Sequence, residues 1–229
     1  MRKMSGEEFD PLVAFFDGMA RTQWLSAIHD QLKEKTGSWR NKKILDVGCG
    51  TGRLLARGVN EAQSLSGVDL SKQMVLAARE ILVGAGAAAY SNVQEADAYA
   101  LPFDGKSFDV VLSTCVMFLL PEPEKGLKEM ARVVRSGGVL GMLNPTHLMN
   151  PAQAARFCET HQINGFEQKT MLQWSNVSTR RHRYDASELS SILQSLGANR
   201  ITHHPVLDGL ALITVARLYN EGTGNLSMK

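Results

Sequence analysis

Three acidic residues and a run of glycines stand at spacings that suit a nucleoside-bearing ligand. The loop Asp46-Val47-Gly48-Cys49-Gly50-Thr51-Gly52 follows the apolar residues Ile44 and Leu45. Glycines there let the backbone turn sharply and let a ligand approach with no Cβ in the way. Asp69 closes the next apolar run about twenty residues further on, where a carboxylate can accept from both hydroxyls of a ribose. Asp97-Ala98 follows a third run around Val93 and is placed to meet an adenine ring. A pyrophosphate-binding GxGxxG loop turns a helix N-terminus toward the phosphates. Here the third glycine comes one residue early, and Arg53 stands where that pattern wants glycine. Asp46 would repel a pyrophosphate and suits an ammonium group. Both departures favour a nucleoside with a methionine-like sulfonium end over NAD.

The elements that must position these residues follow from periodicity. Phe9 to Leu32 carries Leu12, Phe15, Phe16, Met19, Trp24, Leu25 and Ile28 at helical spacing, which predicts two helices or one broken helix. Lys42 to Val47, Ser64 to Leu70, a short stretch around Val93, Phe108 to Ser113 and Val139 to Leu143 read as five strands. Helices are expected over Arg53 to Asn60, over Lys72 to Leu82 behind the cap Ser71, and over Glu122 to Val134 before Gly137-Gly138. This alternation predicts βαβ units and a parallel sheet with helices on both faces. Asp185 with Glu188 forms a capping-box pattern opening a helix to Ser195. Ile201 to Leu207 and Leu210 to Leu218 read as an antiparallel pair joined by Asp208-Gly209, with Pro205 confining the first to a sheet edge or a bulge. In such a sheet, ligands bind beyond the carboxyl ends of the strands where strand order reverses. The three acids fall at those ends.

Composition narrows the class. A chain of 229 residues with 44% hydrophobic and 21% charged residues is an ordinary globular composition, expected to form one domain. A net charge of +2 is too small for a dedicated duplex-binding protein. Cys49, Cys115 and Cys158 are dispersed, so neither a disulfide framework nor a structural metal site is expected, and a reducing cytoplasm fits. The apolar stretch Val110 to Leu120 is interrupted by Ser113 and Thr114 and is too short to span a bilayer. The N-terminus turns acidic at Glu7-Glu8 before any apolar run, unlike a secretory signal.

Between Lys43 and Leu143 the chain resembles the class I S-adenosylmethionine-dependent methyltransferases, in particular the small-molecule group that includes the ubiquinone and menaquinone type. Ile44 to Gly52 is similar to that family's first motif, and Gly67-Val68-Asp69-Leu70-Ser71 with Met74 to its second. Ala96-Asp97-Ala98 with Leu101-Pro102-Phe103 resembles the third, Phe108-Asp109-Val110-Val111 the opening of the fourth, and Glu129 to Val134 with Gly137-Gly138 the helix and turn before the fifth strand. The resemblance implies a Rossmann-like, doubly wound, mostly parallel seven-stranded sheet with an antiparallel terminal strand. It implies S-adenosylmethionine as cofactor, S-adenosylhomocysteine as product, and no metal. Asp46, Gly48 and Gly50, with Cys49 between them, would line the methionine end. Asp69 would hold the ribose, Leu70 and Met74 would pack on adenine, and Asp97 with the Ala98 backbone would meet its amino edge. Ser113, near the end of the fourth strand, joins this set. Two positions depart from the family pattern: Phe118 and Leu119 stand where many relatives carry paired histidines, and Ser136 where many have proline. The first puts histidine-assisted chemistry at that strand in doubt.

The acceptor end is less legible. Phe16, Met117, Phe118 and Trp174 are candidates for an apolar substrate wall, each with a competing reading as plain core. His147 is the candidate base, and Arg180 to Arg183 is either a solvated face or a contact for an acidic group. Cys49 is expected as a small filler and Cys115 as a buried apolar group. The N-terminal helical segment (residues 1–40) is expected over the cleft, and the polar stretch 144–183 as an irregular inserted cap that moves. The sequence thus points to methyl transfer from S-adenosylmethionine to a small, partly apolar acceptor, without nucleic acid or a membrane span. A non-catalytic cofactor-binding partner and an NAD-dependent oxidoreductase are the alternatives, and a homo-oligomer is left open.

Overall fold

The computed structural model describes residues 1–219. Seven strands form one sheet: β1 Lys43–Val47, β2 Ser64–Asp69, β3 Ser91–Glu95, β4 Phe108–Thr114, β5 Val134–Pro145, β6 Ala198–Val206 and β7 Ala211–Leu218. Their spatial order is β3-β2-β1-β4-β5-β7-β6. All neighbours are parallel except the pairs made by β7, which runs antiparallel to both β5 and β6. The order reverses between β1 and β4, so a crevice opens beyond the carboxyl ends of those two strands.

Eight helices surround the sheet among the described residues: α1 Gly6–Phe9, α2 Val13–Ala20, α3 Gln23–Lys35, α4 Lys72–Gly84, α5 Pro123–Val133, α6 Pro151–Thr160, α7 Gly165–Ser178 and α8 Ala186–Ser195. Strand alternation divides the core between the two faces. On β1, Ile44 enters the same core as Ile28 and Leu32 of α3 and Val75 and Ala78 of α4. Leu45 and Val47 turn to the other face, where Leu127 and Met130 of α5 and Leu193 of α8 lie. Local signals account for the helix starts. Ser71 Oγ accepts from Met74 N at 3.1 Å, and Asp185 and Glu188 close a reciprocal capping box at α8.

Several expected elements come out differently. Arg53 to Asn60 is not an α-helix; it holds only a 3-10 turn at Leu55–Gly58. A Cβ on Gly58 would stand 2.8 Å from both Leu65 and Trp39 side-chain atoms, so the segment is pressed too tightly against the sheet for a wider helix. The strand after α5 starts at Val134 rather than Val139, with a register shift opposite Phe108–Val110. The final hairpin turns through residues 207–210, one residue wider on each side than the expected Asp-Gly turn, with Leu207, Asp208 and Gly209 at positive φ. Pro205 lies on β6, an edge strand as required.

The largest correction concerns residues 144–183. The stretch is not irregular. α6 and α7 fill it, and Phe157, Cys158, Met171 and Trp174 are buried in the main core. Phe166 reaches back to α2, packing edge-on against Phe15 at 6.0 Å between centroids. Gln23 N donates to Glu167 at 2.8 Å. The helices are fastened to the N-terminal segment.

Candidate active site

A cavity opens at the reversal point. The glycine loop, the ends of β1, β2 and β4, and the N-terminal segment line it. Gly48 N and Cys49 N both donate to Val68 O, at 2.8 and 2.9 Å, which fixes the turn after β1. Gly48 has φ +75°, and a Cβ there would stand 2.2 Å from Val116 Cγ2. Gly50 is at φ +51° with nothing within 4 Å of a built Cβ. The loop therefore leaves open space just where its backbone bends toward the cavity.

Asp69 locks the loop. Its Oδ2 accepts from Gly50 N at 2.8 Å and its Oδ1 from Ser71 N at 2.9 Å. Each oxygen keeps a free lone pair for a ribose hydroxyl. Burial raises the Asp69 carboxyl above the ordinary range, partly offset by those backbone donors. Asp46 is more isolated. It is buried, Oδ1 has no hydrogen-bond partner, and burial together with the charge of Asp69 pushes its pKa up to about 7. An uncompensated buried carboxylate is costly. The ammonium of a methionine moiety would supply the missing donor. Orphaned Asp46, the open Gly50 and the doubly anchored Asp69 fit S-adenosylmethionine.

Leu70, Met74, Ala96, Asp97 and Ala98 line the same cavity, as expected for the adenine end. The N-terminal segment, expected over the cleft, contributes residues to this end of the cavity. Lys3 Nζ pairs with Asp97 and lies 4.2 Å from the centroid of the Tyr99 ring; Met4 and Phe9 also line the space. Asp10 accepts from Ser71 Oγ at 2.6 Å and so pins the N-terminal segment to the start of α4. Asp17 of α2 clamps the loop from outside, accepting from Thr51 Oγ1 at 3.0 Å and from Arg53 Nε at 2.8 Å. Burial opposes the charge of Asp17, but hydrogen bonds from Arg53 and Thr51 hold its carboxyl below the usual range. Arg53, which breaks the dinucleotide pattern, is a structural cation of the loop.

The far end of the cavity is walled by Phe16, Ala20, His29, Leu54, Thr114, Cys115, Val116, Leu119 and Leu120. Phe16 is therefore where the sequence places it. Five other candidates do not line the cavity. Ser113 is buried, and its Oγ donates to Val47 O at 3.0 Å, stitching β4 to β1. Met117 and Phe118 sit in a 3-10 turn that turns them into the two cores, leaving Leu119 and Leu120 on the cavity. Trp174 is stacked in the core. His147 is exposed and pairs with Glu188 Oε2 at 2.9 Å, outside the cavity lining, so it does not stand where a base would act. Asp185 completes a cluster with His147 and Glu188, and both carboxylates are already committed to capping α8. Cys49 packs over Gly67 as a filler. Burial pushes the Cys115 thiol up to about 12, which keeps it from acting as a nucleophile.

Residues 45–142 match a family described as a methyltransferase domain. A demethylmenaquinone methyltransferase of Desulfitobacterium hafniense is 35% identical over 125 residues, 47% of this chain and 49% of that protein. The chain thus spans about half the length of that curated relative. A 2-phytyl-1,4-naphtoquinone methyltransferase of Thermosynechococcus vestitus is 26% identical over 91% of this chain and 96% of its own. Among solved structures, magnesium protoporphyrin IX methyltransferase of Synechocystis, with bound S-adenosylhomocysteine, superposes with a TM-score of 0.66 at 13% identity, covering 93% of this chain and 97% of that one.

Proposed function

We propose that the chain, which carries a methyltransferase domain over residues 45–142 and resembles the menaquinone-type enzymes there, is an S-adenosylmethionine-dependent methyltransferase that transfers a methyl group to a small, partly apolar acceptor. The observation that carries this reading is Asp46, a buried carboxylate with an unpartnered oxygen at the foot of an open glycine loop.

When bound, the cofactor supplies a methyl group already activated by a sulfonium. The protein's own work is alignment and exclusion of water. Asp46 holds the amino-acid end, Asp69 the ribose, and Leu70, Met74 and the Ala96 to Ala98 segment the base. Phe16, Leu119 and Leu120 present apolar surface to the acceptor and keep water out. No strong general base is required of such a site unless the acceptor resists deprotonation.

The acceptor class rests on this apolar wall and on the relatives' names. Free, dispersed cysteines support a cytoplasmic setting. No helix among the described residues is long and apolar enough to cross a membrane. The small net charge supports a small-molecule partner over nucleic acid.

The test is a screen of small apolar acceptors with labelled S-adenosylmethionine, read as S-adenosylhomocysteine released, with an NADH titration as control. Cofactor binding without turnover on any acceptor would point to a binding protein instead. Tight NADH binding would defeat the assignment of the loop.

A further inference from the structure

Two residues lining the cavity carry a buried polar atom with no hydrogen-bond partner among the described residues: Asp46, through Oδ1, and His29, through Nδ1. The unpartnered atoms of Trp24, Glu61, Asn144, Trp174 and Tyr184 belong to residues outside the cavity lining. Sheet parity relates the first two. Ile44 shares its core with Ile28 and Leu32 of α3, and Asp46, two residues along β1, faces the same way. His29, also on α3, lines the cavity and is 4% exposed.

The cofactor's ammonium accounts for Asp46. Nothing in the cofactor reading accounts for His29. A buried donor or acceptor left unpaired costs free energy, so a group of this kind is normally satisfied by something. Of the residues that wall this end of the cavity with it, Thr114 carries a hydroxyl and the rest are apolar or weakly polar, and no protein group hydrogen-bonds His29 Nδ1. The two cations of the cavity are already engaged, Lys3 by Asp97 and Arg53 by Asp17. Burial, reinforced by the charge of Arg57, holds the imidazole neutral with a pKa near about 3. A neutral imidazole offers one N–H and one bare nitrogen, which suits a hydroxyl and gives no charge to attract a carboxylate.

We infer that His29 is the residue that positions the methyl acceptor, and that the acceptor is an uncharged apolar molecule whose hydroxyl hydrogen-bonds this imidazole. The inference rests on the methyl-transfer reading and narrows its substrate class. It makes His29 a contact of the acceptor and leaves cofactor affinity to the glycine loop and Asp69.

The experiment saturates the protein with S-adenosylhomocysteine and titrates it fluorimetrically with 2-naphthol and with naphthalene, the same ring system with and without a hydroxyl. The parent should prefer 2-naphthol by about tenfold or more, the scale of one buried hydrogen bond. His29→Leu should lose that preference while keeping naphthalene and S-adenosylhomocysteine affinity, and His29→Gln should restore part of it. Leucine could upset the packing of α3, so nitrogen-15 spectra of the parent imidazoles supply a second reading. The His29 resonances, identified by their loss in His29→Gln, should move with 2-naphthol and stay with naphthalene. Equal affinity for the two probes, an unchanged preference in His29→Leu, or no 2-naphthol binding by a protein that does bind S-adenosylhomocysteine overturns the inference. Failure to bind S-adenosylhomocysteine at all overturns the methyl-transfer reading beneath it.

Discussion

The indole rings of Trp24 in α3 and Trp174 in α7 stack with centroids 5.6 Å apart and planes 6° from parallel. Both are buried, so the contact welds the helices of residues 144–183 to the N-terminal segment. Trp174 is therefore a core residue that holds α7 against α3.

Removing that ring tests the contact. Trp174→Ala should destabilise the protein by about 3–5 kcal/mol, the usual cost of emptying a large buried aromatic site. Urea denaturation would read it, and S-adenosylhomocysteine affinity should change little. Amide exchange in α7 should be slow in the free protein; rapid exchange there would restore the idea of a mobile cap.

Asp46 gives the protein a characteristic pH response. Its carboxyl titrates near about 7 in the fold against 3.8 for the ordinary group. Between those values the folded state binds the extra proton, so this group's contribution to stability falls as pH rises from about 4 to 7 and then levels off. His29 works the other way over the lower part of that window, since its folded pKa lies below the ordinary 6.5. The difference between the parent and Asp46→Asn isolates Asp46. Across pH 5 to 8, the parent's melting temperature should drop relative to the variant's.

The same carboxylate should link cofactor binding to pH. An ammonium is held by the ionised form. S-adenosylhomocysteine affinity should therefore rise as pH passes through about 7 in the parent and stay nearly flat in Asp46→Asn. Calorimetry at several pH values would show it, and a flat parent profile would remove Asp46 from the amino-acid end.

Asp69→Ala should weaken S-adenosylhomocysteine binding by about 1–3 kcal/mol, because ribose hydroxyls and the amide of Gly50 lose their acceptor together. Since Asp69 also holds the loop through Gly50 N and Ser71 N, amide exchange at Gly50 should quicken in the free variant. Unchanged affinity would refute the ribose assignment.

At Gly50 the reasoning is steric. The residue has φ +51° and open space ahead of it, so Gly50→Val combines backbone strain of about 1–2 kcal/mol with a side chain in the space the ligand needs. Circular dichroism should stay near that of the parent while binding disappears. Retained binding would mean the loop does not touch the cofactor.

What the sequence determined by itself is the part of the site built from neighbours along the chain. In each βα unit, a strand's covalent end fixes where the next few residues lie, so Asp46, Gly50, Asp69 and Asp97 could be read from apolar runs and glycines. The antiparallel end of the sheet was legible for the same reason, since a hairpin is local. Only the tertiary structure decided the rest. Lys3 on Asp97, Asp17 on Arg53 and His29 in the lining shared with the glycine loop join residues from separate elements, and their positions depend on packing that no local pattern encodes. Parity defeated some expectations: being next to a strand end put Ser113, Met117 and Phe118 near the cavity in sequence, but side-chain direction turned them into the sheet and the cores. α7 escaped notice because Met171, Trp174 and the small Ser175 and Ser178 form its buried side, a stripe too polar for hydrophobic periodicity to mark.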